Sequence, residues 1–152
     1  MRFLVSEIRN AGRLEQSESL DPAPILGNPP EFVSFGFPLK VQANALMTSS
    51  DIVVSGHVST KLSFTCGRCL EKYERPFEAD FQQVFSSDLK EIDISNDIQE
   101  VVYIDLPITP VCREDCKGLC SICGKNKNEL ACKCKDTEGD PRWAALNRIR
   151  FH

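Results

Sequence analysis

The sequence contains no apolar run long enough to cross a bilayer. Val101-Val102-Tyr103-Ile104 is typical of its longest stretches, against the roughly 18 residues that a span needs. Histidine occurs twice and tryptophan once, which excludes a histidine-rich metal site. There is no glycine-rich phosphate loop and no nucleophile elbow, so motif-borne nucleotide hydrolysis and serine-type acyl transfer are excluded. No repeat of fixed period and no low-complexity tract occurs. The amino terminus meets Glu7 too early for a secretory signal, so export is not expected and a cytoplasmic location is. No feature calls for a small-molecule substrate, a membrane or an enzymatic activity.

What is present is an ordinary globular balance, 41% hydrophobic and 26% charged over 152 residues, enough for one compact domain. The charge is unevenly placed. Residues 111–152 hold nine Lys/Arg against six acids, a local +3, while the remainder carries −7 of the net −4. The division expected is a sheet body over 1–110 and a cysteine-rich module with a closing helix over 111–152, integrated into one domain. Such a protein has no global attraction for nucleic acid, so any RNA contact must be local or made through a protein partner.

The middle of the chain alternates with period two. Leu39, Val41, Ala43, Ala45 and Met47 share one face. After Thr48-Ser49-Ser50-Asp51 the apolar positions become even (Ile52, Val54, Val58, Leu62, Phe64). After Cys66-Gly67-Arg68-Cys69 they return to odd (Tyr73, Phe77, Ala79, Phe81, Phe85). This predicts three antiparallel strands in a meander with one wet face. Residues 10–30, rich in Gly and Pro among polar residues, predict an irregular connection. Residues 86–97 read as an acidic, turn-like stretch. Ser95 then caps a short helix carrying Ile98, Val101 and Val102, with a strand over 101–104 as the alternative. Asp140-Pro141 predicts the start of a last helix with Trp143, Leu146 and Ile149 on its docking face. The fold class is therefore α+β: an antiparallel meander, a small zinc-bound C-terminal module and a short terminal helix.

The chemistry lies in eight cysteines, in a chain for which export is not expected, where paired cysteines are more often metal ligands than disulfides. Two C-x2-C pairs, Cys66/Cys69 and Cys120/Cys123, suit tight turns that bring two thiolates to one tetrahedral ion. Gly124 supplies the positive φ such a turn favours. With Cys112, Cys116, Cys132 and Cys134 they complete two sets of four, for one or two Zn2+ per chain. The eight-residue spacer from Cys123 to Cys132 allows the chain to reverse, so Cys120, Cys123, Cys132 and Cys134 can share one ion. Cys112 and Cys116 are then free to join Cys66 and Cys69, and exchange of Cys116 for Cys132 or Cys134 stays open. Around them, Val111, Leu119, Ile122 and Leu130 are the only large apolar residues over 111–140. That is too little core to offset ordering costs of about 1–2 kcal/mol per residue, so the ion is expected to be part of the fold. Two other uses compete: a dithiol redox catalyst, which needs a βαβ context the sequence lacks, and, for Cys66/Cys69, plain reduced thiols in a turn. His57 reads as a solvated imidazole, Asp88, Glu91, Asp93, Asp97 and Glu100 as a solvated acidic loop, and Phe32, Phe35 and Phe37 as core.

Four stretches together resemble the YceD family: Phe64-Thr65-Cys66-Gly67-Arg68-Cys69-Leu70-Glu71, Leu106-Pro107-Ile108, Asp115-Cys116-Lys117-Gly118-Leu119-Cys120-Ser121-Ile122-Cys123-Gly124, and Asp140-Pro141-Arg142-Trp143-Ala144-Ala145-Leu146. The resemblance implies a metal-binding bacterial or plastid protein tied to accumulation of large-subunit ribosomal RNA. Its candidate partners are that RNA or a large-subunit ribosomal protein. The candidate RNA contacts are Lys117, Lys125, Lys127, Lys133 and Lys135, whose alternative role is to solvate the module and neutralise its thiolates. The function expected is non-catalytic help in ribosome biogenesis. The alternatives are a zinc-stabilised protein-interaction module without RNA contact, and a thiol oxidoreductase.

Overall fold

The computed structural model describes residues 1–129 and 132–134; the expected helix after Asp140 lies outside them. The elements in chain order are β1 (Arg2–Leu4), α1 (Val5–Ala11), β2 (Arg13–Leu20), α2 (Pro22–Leu26), β3 (Val33–Ser34), β4 (Leu39–Met47), β5 (Asp51–Thr65), β6 (Lys72–Ser86), β7 (Glu91–Asp93) and α3 (Ser95–Ile104). The fold is mixed, with an antiparallel sheet and few helices. No helix among the described residues is long and apolar enough to cross a membrane.

The three alternating segments form β4, β5 and β6. Val41 pairs with Val58 and Val58 with Ala79, so the apolar faces coincide across all three strands. A one-residue slip would turn every one of these side chains to water, which is what holds the register. Leu39, Val41, Ile52, Val54 and Leu62 are wholly buried. Phe3, Val5, Ile8, Leu26, Ile92, Ile94, Ile98 and Val102 join them in a single cluster.

Residues 10–30 are irregular only from Gly27 onward and at the short joints between elements. All eight residues of β2 pair with β4, from Arg13 opposite Leu46 to Leu20 opposite Leu39, making a fourth strand. Its sequence hides this because Gln16 and Glu18 sit between Leu14 and Leu20 on the core-side face. An edge strand can form without clean apolar alternation, since backbone hydrogen bonds to one neighbour hold it and water takes its outer groups. α2 follows directly, capped by the Asp21 side chain accepting from the Ala23 amide at 3.1 Å. Nor is the acidic stretch all turn: β7 pairs with β1, and Arg2 bridges Glu91 and Asp93 at 3.2 and 3.1 Å. A strand of three residues is too short to show periodicity.

The helix over 95–104 forms, with Ile98 and Val102 buried. Their four-residue spacing places both on one face of a helix, and it is burial of that face that decides against a strand. Ser95 is not its cap, however. It is the first helical residue, and Asp93 Oδ1 accepts from its amide at 3.0 Å and its hydroxyl at 2.6 Å. These hydrogen bonds hold the Asp93 carboxyl below its usual range. Phe32 and Phe35 pack partly buried against the core, Phe35 edge-on to Tyr103. Phe37 is half-buried under the Lys61 ammonium, 5.3 Å from the ring centre.

One strand residue admits no side chain. Gly56 pairs with Phe81, and a Cβ there would lie 2.4 Å from Phe81 Cζ. Gly56→Ala is therefore expected to cost about 1–3 kcal/mol through overpacking. This should read as a lower urea midpoint, partly recovered by adding Phe81→Leu. An unchanged midpoint would mean the ring swings aside freely.

Candidate metal centres

The turn between β5 and β6 is Cys66 to Glu71. Cys66 N–H donates to the Glu71 carbonyl at 2.9 Å, and Leu70 N–H to the Cys66 carbonyl at 2.9 Å. The second C-x2-C repeats this pattern: Cys120 N–H to the Lys125 carbonyl at 2.8 Å, Gly124 N–H to the Cys120 carbonyl at 2.9 Å. Both knuckles need positive φ at the residue after the second cysteine. Gly124 takes φ 69° and Leu70 takes φ 61°. For glycine that conformation is free of strain, whereas for leucine it costs about 1–2 kcal/mol.

Tertiary folding brings residues 110–119 onto the first knuckle. Gly67 N–H donates to the Pro110 carbonyl at 2.8 Å and Leu119 N–H to the Arg68 carbonyl at 3.0 Å. The Arg68 guanidinium donates to the carbonyls of Glu114 and Cys116. A side chain at Gly118 (φ 70°) would press on the Arg68 carbonyl at 3.0 Å, so this close approach requires glycine. The sulfurs of Cys66, Cys69, Cys112 and Cys116 consequently lie within 4.8 Å of one another, with Cys66–Cys116 at 3.9 Å and Cys69–Cys112 at 3.7 Å. Cys120, Cys123, Cys132 and Cys134 form a second group within the same limit. All eight are free thiols. A tetrahedral ion with bonds of about 2.3 Å to sulfur sets its ligands about 3.8 Å apart, so the first group has the spacing such an ion needs. Its cysteines are buried except for half-buried Cys112, whereas Cys123 of the second is exposed.

The thiols divide into those ready to ionise and those held protonated. Burial alone would raise Cys66, but the amides of Cys69, Cys112 and Arg68 overcome it and bring the thiol down to about 6. The amides of Cys123 and Ile122 lower Cys120 to about 6. Burial raises Cys116 too, yet hydrogen bonds from the Asn128 side chain and the Gly118 amide leave it lowered. The Glu71 amide pulls Cys69 down, but burial and the thiols of Cys66 and Cys116 leave it raised. Burial and its three neighbouring thiols push Cys112 up to about 12. The Cys123 thiol beside it and burial push Cys134 up to about 12. Each set thus resists carrying a full complement of thiolates until a cation compensates them.

Asn128 was not legible as a site residue. Its sequence position marks only a turn, yet its Nδ2 donates to Cys116 Sγ at 3.4 Å. Lys117, Lys125 and Lys133 are exposed and Lys127 is half-buried, while Lys135 lies outside the described residues. His57 sits on the open face of the sheet, half-exposed, with Nδ1 2.7 Å from Asp80 Oδ1.

Residues 85–150 match the family described as "Large ribosomal RNA subunit accumulation protein YceD". That span contains the second cysteine group and Cys112 and Cys116, but not Cys66 and Cys69. An Arabidopsis thaliana protein named "Large ribosomal RNA subunit accumulation protein YCED homolog 1, chloroplastic" is 39% identical over 66 residues, 43% of this chain and 21% of that protein. Uncharacterised proteins of Mycobacterium leprae and Mycobacterium bovis are 28% and 31% identical over 60% and 64% of this chain. The chain spans 50% and 55% of their lengths. No solved structure matches.

Two outcomes are expected. Since the first group ties the sheet's turn to the following segment, a strong chelator should expose amides over 66–71 as well as 111–129, leaving the centres of β4 and β5 protected from exchange. Loss of protection throughout the sheet would contradict this. Apparent metal affinity should also rise with pH near neutrality, because binding displaces the protons of the raised thiols Cys69, Cys112 and Cys134. It should fall more steeply below about pH 6, where Cys66 and Cys120 take up protons as well. Competition titrations against a chelator measure the slope, and a flat profile would exclude thiolate ligation.

Proposed function

We propose that this chain, a YceD-family protein by its match over residues 85–150, is a non-catalytic zinc-binding factor that supports accumulation of large-subunit ribosomal RNA. The observation that carries the reading is the pair of four-cysteine groups, one wholly and one partly inside the family-matched span. The name of the Arabidopsis relative supports the ribosomal role. Cys66, Cys69, Cys112 and Cys116 would hold one ion and Cys120, Cys123, Cys132 and Cys134 another. All-sulfur, four-coordinate sets favour zinc, which at such a site supplies folding free energy rather than bond chemistry. With all ligand positions filled by protein there is no open position for a substrate. The chain acts as one integrated unit, the body over 1–110 carrying the module over 111–152, in the cytoplasm.

Contact with RNA falls to Lys117, Lys125, Lys127 and Lys133 beside the knuckles, and to Lys135 next to Cys134 in sequence. The overall charge of −4 opposes unspecific binding, and thiolate charge offsets part of the lysine field. Binding is therefore weak, with a salt dependence of about two to four phosphates. A second reading, contact with a ribosomal protein, is favoured by Leu70 and Ile122. These stand 62% and 54% exposed at the tips of the two knuckles, and Leu70 does so in a backbone conformation that glycine would hold without strain.

Reversing Lys125, Lys127 and Lys133 to Glu should leave the chain folded and metal-loaded yet lower large-subunit ribosomal RNA levels in cells. Normal levels in that variant, with a loss on Leu70→Gly plus Ile122→Ser instead, would transfer the function to the protein-contact surface.

A further inference from the structure

The loop between Cys123 and Cys132 belongs by sequence to the second cysteine group, but it reaches back to the first. Residues 117–120 and 125–128 form a short hairpin. Leu119 bridges Asn126, and Lys127 N–H donates to the Gly118 carbonyl at 2.9 Å. Its closed end is the Cys120–Gly124 knuckle; its open end rests on Cys116. There the Asn128 carboxamide is held on both sides. Its Oδ1 accepts from the Lys117 amide at 2.8 Å. Its Nδ2 donates to Cys116 Sγ at 3.4 Å and to Asn126 Oδ1 at 2.8 Å. Asn126 Oδ1 also accepts from the Asn128 amide at 3.0 Å.

We propose that Asn128 couples the two groups, so that a metal ion at Cys120, Cys123, Cys132 and Cys134 tightens metal binding at Cys66, Cys69, Cys112 and Cys116. The inference rests on the metal-binding reading above. An ion at the closed end of the hairpin removes its freedom to fray. The open end, which carries the N–H donor for the Cys116 thiolate, is thereby kept in place. A donor behind a ligand atom is typically worth about 10- to 100-fold in metal affinity. Asn128 is half-buried at the margin of its site, so the lower figure of about 10-fold applies. Because coupling between binding free energies is reciprocal, the first group tightens the second by the same factor. Asn128 is a positioning residue and not itself a ligand.

The test uses the full chain and a thermodynamic cycle. Zinc is titrated against a competing chromophoric chelator, and cobalt(II) reports four-thiolate coordination through its absorption bands. Cys123→Ser with Cys134→Ser removes the second group and should weaken the first about 10-fold. Asn128→Ala should weaken it to a similar extent, and adding it to the double-serine chain should cost no more. Asn128→Asp keeps the acceptor for the Lys117 amide but sets a carboxylate against the thiolate. It should weaken the first group further than alanine does, with the amide protection of β4 and β5 unchanged. Unchanged first-group affinity in the double-serine chain or in Asn128→Ala alone, or losses that multiply in full when the two are combined, would overturn the coupling. Two ions per chain that bind independently would overturn it alone; fewer than two ions on the wild-type chain would overturn the metal reading with it.

Discussion

The meeting of four cysteine sulfurs between the β5–β6 turn and residues 112–116 is the constraint on which the placing of residues 110–119 depends. The sheet needs no such help: its buried face and the helices over it form one apolar cluster running from Met1 to Val102. Among the described residues beyond Pro110, the apolar material packed at the turn is Val111 and the sulfurs themselves, with Tyr73. Hydrogen bonds from Gly67, Arg68 and Leu119 guide this segment onto the turn, but solvent-exchangeable hydrogen bonds each contribute only about 1 kcal/mol net. Gathered thiols that resist joint ionisation do not bind one another. A cation among them would make the arrangement stable, which is why the geometry itself argues for a metal.

The two knuckles share one hydrogen-bond pattern and differ in what supports them. The first is the end of two strands of fifteen residues each, paired along their whole length, so its cysteines are presented by a stiff base and buried. The second ends a hairpin tied by a single bridge, and its Cys123 is exposed. A rigid, enclosed ligand set suits a structural ion that seldom leaves. An open one on a short hairpin exchanges more readily and depends more on its surroundings. Asn128 links these two regimes, since the side chain that supports the closed set is carried by the open one.

This architecture bears on the ribosomal reading. The acidic residues lie largely on the sheet body, while exposed Lys117, Lys125 and Lys133 and the apolar tips Leu70 and Ile122 lie on the knuckles and the segments flanking them. In that reading the body repels phosphate and the knuckle region meets the partner, which restricts docking to one side of the molecule.

The strands over 39–86 could be read from residue order alone because burial of one sheet face writes a period of two into the chain. The cysteine spacings spoke for the same reason: a tetrahedral ion limits how far apart its ligands can be along a turn. The helix over 95–104 was legible with a strand over 101–104 as its close alternative, and packing of Ile98 and Val102 decided it. β2 was invisible, since Arg13–Leu20 owes its conformation to the free edge of β4 and not to its own side chains. β1 and β7 were invisible because three residues carry no period. The gathering of Cys112 and Cys116 on Cys66 and Cys69 was one reading of the cysteine count, with exchange of Cys116 open until tertiary structure decided it, whereas the contact of Asn128 with Cys116 was decided by tertiary structure alone. Both depend on where residues some fifty positions and twelve positions apart come together, a distance in space that local spacing does not encode.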